Sequence, residues 1–227
     1  MGAMKMFRIT FVLFPGVTQL DLTAPAQVLA RLPDARVTVA AKSTGAVTTG
    51  CGFSIIPDTV FAQANQADLL CVPGGFGVAD VLGDQETVGF IRDQAEGARF
   101  VTSVCTGAFL LGVAGALQGK RATTHWGYTH LLSLVGAEYT PGRVVVDGTT
   151  MTGGGVTAGL DFALTVAAEV TDAATAQSIQ LALEYDPSPP FQAGRPETAP
   201  QEVRKAIKAR YHQAAQRMRD ALQAARR

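Results

Sequence analysis

Cysteine is scarce in this chain: there are three, Cys51, Cys71 and Cys105, in 227 residues. An odd, sparse set excludes a disulfide framework and fits a reducing cytoplasm. Long apolar runs are missing too. No stretch reaches the roughly 18 consecutive apolar residues of a membrane span. The opening "MGAMKMFRIT" lacks the basic-then-apolar pattern of a secretory signal, and its first four residues read as a cloning remnant. Charge of either sign is not in excess, because 19 basic and 19 acidic residues cancel. That balance calls for neither nucleic acid nor an acidic membrane as partner. What the chain does have is apolar content, 47% of residues, and enough length for one α/β domain over residues 5–227.

The apolar residues come in short runs alternating with helical stretches. "MFRITFVLF" (6–14), "ARVTVAA", "ADLLCVPGG" (67–75) and the run 99–104 read as strands. "TAPAQVLARL" (23–32) reads as a helix capped by Thr23, with Pro25 in its first turn. Further helices are expected from about 84 to 97 and over 106–116, 157–170 and 173–185. "TTGCGFSIIPD" and "VVVDGTTMTGGG" (144–155) read as hairpins. Strands alternating with helices predict a mostly parallel sheet covered by helices on both faces. A proline-rich linker, "DPSPPFQAGRPETAP", separates this body from a helical extension over 201–227. On that extension Val203, Ile207, Tyr211, Ala215, Met218 and Leu222 recur every three or four residues, an apolar stripe made for packing on the body or on a partner subunit. Its basic residues read as a solvated face, and no helix-turn-helix pair is present to bind DNA.

The stretch "RFVTSVCTGAFLLGVAGAL" (99–117) carries the chemistry. Cys105 stands where a buried strand turns into a helix, at the sheet edge where parallel α/β proteins bind ligands. Ser103 and Gly107, two positions to either side, keep the turn small, the pattern of a nucleophile elbow with cysteine in place of serine. A helix start is expected to lower the thiol pKa through its free N–H groups. The alternative is a small buried hydrophobe, which free cysteine often is. Gly74 and Gly75, ending another strand in "VPGGFG", are expected to leave bare N–H groups facing a developing negative charge. The Val156 N–H, in "GGGVTAG", is placed to reach the thiolate. Asp21, in the loop "QLDLTAP", is either a turn carboxylate or, with its pKa raised by burial, a proton shuttle. Cys71 reads as strand core and Cys51 has no elbow.

These residues give the chain its resemblance to the DJ-1/PfpI superfamily and, within it, to the isocyanide hydratases. The similarity runs from "LFPGVTQLDLTAPAQVLA" through "VTSVCTGAFLLGVAGALQGKRATTHW" and "MTGGGVTAGLDFALTVAAE" to "ALEYDPSPPFQAGRPETAP". It implies a flavodoxin-like sandwich, a homodimer, no metal or organic cofactor, and a small isocyanide substrate. It implies that Cys105 is the nucleophile, Asp21 the acid/base and Thr106 a required neighbour. Protease-like members carry histidine after the cysteine; Thr106 stands there instead, which argues against a peptidase. His125 in "TTHW" is expected to pack and hydrogen bond, and His130 and His212 to lie on surfaces. Two alternatives stay open: a redox or electrophile sensor using Cys105, and a glyoxalase-type hydratase of α-oxoaldehydes.

Overall fold

The computed structural model describes residues 6–225. The four leading residues read as a cloning remnant, and the last two residues of the helical extension expected over 201–227, lie outside the described residues. The strands are β1 (Phe7–Val12), β2 (Ala35–Ala41), β3 (Val47–Thr48), β4 (Ser54–Ile55), β5 (Thr59–Val60), β6 (Leu69–Val72), β7 (Phe100–Val104), β8 (Arg121–Ala122), β9 (Glu138–Tyr139), β10 (Val144–Asp147) and β11 (Thr150–Gly153). The helices are α1 (Gln19–Leu29), α2 (Val78–Val81), α3 (Gln85–Gly97), α4 (Gly107–Val113), α5 (Ala158–Val170), α6 (Ala173–Ala182) and α7 (Gln201–Ala225).

Seven strands form one sheet in the order β10-β11-β7-β6-β1-β2-β5. Every pairing is parallel except the β10–β11 hairpin. Helices α1, α5 and α6 pack together, and α3 packs on α4, giving the two helical layers of a flavodoxin-like sandwich. The central strands are apolar along their whole length because both faces are covered. Phe11, Leu69, Leu70 and Val104 are fully buried, with Phe109 and Phe162 reaching in from the helices. Each such side chain contributes about 1.5–3 kcal/mol by leaving water. The strand order reverses direction at β1, so the clefts beyond the carboxyl ends of β1, β6 and β7 lie at the position where open α/β sheets bind ligands.

The predicted strands and hairpins form, including β3–β4 within "TTGCGFSIIPD". Asp84 caps α3 by accepting the Glu86 N–H at 3.3 Å. Two expectations need correction. First, α1 starts at Gln19, a turn earlier than expected, so Thr23 is not its cap. Pro25 sits in the second turn, where its missing N–H leaves the Asp21 carbonyl without its helical partner. Asp21 is therefore in the first helical turn and not in the loop. Second, α4 is short, ending at Val113, and Gly115 turns the chain with φ 91°. The stripe on α7, expected to pack on the body or on a partner subunit, is covered unevenly. Met218 and Leu222 are buried against this chain's own body, on the 3-10 helical stretch Trp126–Val135 and on α2 and α4, while Val203 is exposed. From Tyr211 onward the stripe needs no partner subunit to cover it.

Candidate active site

Three loops at the carboxyl edge meet: one after β1, one after β6 and the β7–α4 turn. The first two are stitched together by the Thr18 N–H donating to the Gly74 carbonyl at 2.9 Å and by a bridge between Val17 and Gly75. The third is the elbow. Cys105 has φ 58°, a left-handed backbone that non-glycine residues rarely adopt. The strain is held by its surroundings. The Cys105 N–H is shared between the carbonyls of Gly153 (3.0 Å) and Gly154 (2.9 Å), and its carbonyl accepts the Thr124 hydroxyl at 2.7 Å. Gly107 is obligatory, since a Cβ there would run into the Val72 carbonyl. The small residue two positions after the cysteine thus has the steric cause expected of it.

Asp21 is fully buried beside Cys105. Its Oδ2 accepts the Gly74 N–H at 3.1 Å, and its Oδ1 forms no hydrogen bond of good geometry among the described residues. Burial pushes this carboxyl up from 3.8 to about 7, opposed by the neighbouring Cys105 thiol and the Gly74 amide. Cys105 is 5% exposed. Its thiol is pushed well up, first by burial and then by the negative charge of Asp21; the Thr106 amide and hydroxyl pull the other way. The expected lowering by the helix start is therefore reversed. A helix of only two turns supplies less field than desolvation removes.

Gly74 and Gly75 do not present bare amides. The Gly74 N–H is taken by Asp21, and the Gly75 N–H donates to Thr106 Oγ1 at 2.9 Å. The Thr106 hydroxyl donates in turn to the Gly75 carbonyl at 3.1 Å, so its hydrogen bonds grip the glycine loop and not Asp21. The amide that acts on the thiol is that of Thr106. Val156 borders the cavity above Cys105 without being its hydrogen-bond partner.

That cavity holds about 40 Å³. Phe76, His125, Tyr128 and Tyr211 surround it with rings. His125 packs and hydrogen bonds as expected: its Nδ1 accepts the Gly127 N–H at 3.2 Å, and burial lowers its pKa to about 4, so it is neutral at pH 7. The sequence reading did not place Phe76, Tyr128 or Tyr211 in the site. The only signal was the Tyr211 position on the α7 stripe, which reads equally as core packing. A larger open groove of about 490 Å³ shares His125 and Val156 with the cavity and runs past Trp126, Arg143 and Arg195. Among the described residues no three His, Cys, Asp or Glu side chains cluster as metal ligands would. Among the same residues no helix is long and apolar enough to cross a membrane.

A parallel α/β sheet with a strained cysteine at its carboxyl edge and a buried acid beside it defines the class, and the chain belongs to the DJ-1/PfpI family, whose model matches residues 7–169. The isonitrile hydratase of Pseudomonas putida is 54% identical over 196 residues, 86% of each chain. A ThiJ/PfpI family protein from Pseudomonas syringae superposes with a TM-score of 0.94 at 38% identity, over 96% of this chain and 91% of its own. Drosophila melanogaster DJ-1beta superposes at 0.70 with 26% identity, its whole length covering 81% of this chain.

Proposed function

We propose that this protein hydrates isocyanides, R–N≡C (isonitriles by their other name), to N-substituted formamides, with Cys105 as nucleophile and Asp21 as acid/base. The observation that carries the reading is the strained Cys105 elbow opening on a cavity with the fully buried Asp21 beside it, a carboxyl that burial raises to about 7. The 54% identity to an isonitrile hydratase supports the substrate class.

The isocyanide carbon is divalent and takes both a nucleophile and a proton. Asp21, as carboxylate, removes the Cys105 proton as sulfur attacks that carbon. The same proton then passes from Asp21 to the carbon, giving the thioimidate R–N=CH–S–Cys105. Asp21, again a carboxylate, takes one proton from water as the water oxygen adds to the thioimidate carbon and passes that proton to the nitrogen, giving R–NH–CH(OH)–S–Cys105. The tetrahedral adduct collapses, breaking the C–S bond, to R–NH–CHO and the Cys105 thiol. Splitting one addition into two is what covalent catalysis offers. A carboxyl titrating near neutrality is matched to moving protons both ways at pH 7. In this reading Thr106 holds the glycine loop and directs its amide at sulfur, Gly74 orients Asp21, Gly75 anchors Thr106, and Val156 bounds the substrate.

The reading includes a homodimer, in keeping with exposed Leu181, Phe191 and Val203, and a cytoplasmic home, in keeping with three free cysteines. It takes the sandwich and α7 as one domain. A sensor role finds less support, because electrophile sensors rely on exposed thiols of low pKa. The test is a panel of alkyl and aryl isocyanides with formamide followed by mass spectrometry. Many formamides per chain are expected; no more than one equivalent, left on the protein, would overturn hydration.

A further inference from the structure

Helix α7 lies beyond residue 169, where the family match ends. It is pinned to the body by buried Met218 and Leu222 and by the ion pair of Arg217 with Asp80 on α2. Tyr211, two to three turns before these anchors, is thereby carried over the elbow. Its ring contacts four others, with centroids 4.9 Å from His125, 5.7 Å from Trp126, 5.9 Å from Tyr128 and 6.1 Å from Phe76. A ring held from several sides is fixed in place. Beneath it, the 40 Å³ beside Cys105 is room for roughly three water-sized groups at about 10–15 Å³ each.

We propose that Tyr211 is a specificity-determining residue, a roof that admits only a narrow, unbranched head group to Cys105 and leaves the rest of the substrate in the adjoining groove. For the nature of that head group the inference rests on the isocyanide reading. The N≡C unit is a linear two-atom rod, so its carbon reaches the thiol with the bulk of R held away. An α-oxoaldehyde presents a trigonal carbon flanked by a second carbonyl, a wider approach. The groove of about 490 Å³ shares His125 and Val156 with the cavity and so adjoins it where R would emerge.

Thiol labelling tests the roof without any isocyanide. Cys51 is exposed and would compete, so all variants carry Cys51→Ala. Rates of Cys105 modification are compared for methyl methanethiosulfonate, which is narrow, and dithiobis(nitrobenzoate), which is bulky. Tyr211→Ala is expected to raise the bulky rate relative to the narrow one by roughly tenfold or more, the scale of a filled pocket opened. Tyr211→Phe, which keeps the ring, should leave the ratio unchanged. Where Tyr211→Ala does not fold, Tyr211→Leu, smaller but still apolar, is read the same way. An unchanged ratio, a parallel rise with both reagents, or an equal shift in Tyr211→Phe would each overturn the roof. If the ratio shifts as expected while no isocyanide is turned over, the hydratase reading fails and the steric filter stands.

Discussion

Cys71 on β6 and Cys105 just past the neighbouring β7 are both buried, and their thiols are both pushed above the ordinary range. Cys71 lies inside β6, paired in register with Phe11 and Thr102, on ordinary strand backbone. Cys105 lies one residue past the end of β7, on left-handed backbone, with a cavity above it and a carboxyl beside it. Burial and thiol pKa do not separate the two. What separates them is a side-chain contact with Asp21, which reaches Cys71 only through its charge, and an opening to receive a substrate. A raised thiol pKa is compatible with nucleophilic attack when the proton has a place to go at the moment of attack.

The sharpest break of this comparison is to remove each thiol. Cys105→Ala should abolish formamide production, because alanine tolerates the same turn but cannot attack; Cys71→Ala should keep it. Steady-state assays of both variants, with circular dichroism to confirm folding, check this. Wild-type-like turnover by Cys105→Ala would return both cysteines to the same structural role.

Asp21→Asn comes next, with turnover expected to fall by roughly a hundredfold or more, the range of a general acid/base. The same substitution has a stability signature. At low pH the carboxyl is protonated in folded and unfolded chains alike, and its burial costs nothing extra. As pH rises from about 4 to about 7 the unfolded chain ionises first, and stability falls; above 7 the loss is constant. A shift from 3.8 to about 7 corresponds to roughly 4 kcal/mol at about 1.4 kcal/mol per unit. Asp21→Asn should therefore melt at higher temperature than the parent at pH 8 and at the same temperature at pH 4. Equal melting at pH 8 would mean that Asp21 carries no such burden.

The pH profile sharpens the contrast further. Activity needs Asp21 as carboxylate, so kcat/KM should rise with pH through an inflection near 7 and flatten above it. His125, held neutral with a pKa near 4, should add no inflection of its own between pH 5 and 8. A profile flat from pH 5 to 8 would remove the dyad from the rate. The smallest expected effect is on Cys71→Ala itself, about 1–2 kcal/mol of stability lost to a small cavity, read from urea unfolding.

The elbow was legible before the structure because a close approach between distant strands leaves a local mark in the letters. A small residue is needed at Gly107 where the chain passes the Val72 carbonyl, and "S-x-C-x-G" reports that need in the letters. Asp21 was legible as a residue type near the edge, but its place inside α1 was hidden, since Pro25 invites a later helix start. Gly74 and Gly75 were read as free donors because glycine in a sequence says only that backbone is exposed to something, not to what; here it is Asp21 and Thr106.

The sequence by itself determined the parallel α/β sandwich and the cysteine at its carboxyl edge. Apolar runs of strand length alternating with helical stretches, and small residues flanking a cysteine where strand meets helix, can be read from neighbouring letters alone. The tertiary structure alone decided the ionisation of Asp21 and Cys105 and the ring over them. Desolvation depends on everything packed around a group, and Tyr211 reaches the site only because Met218 and Leu222, further along α7, have found their place in the core.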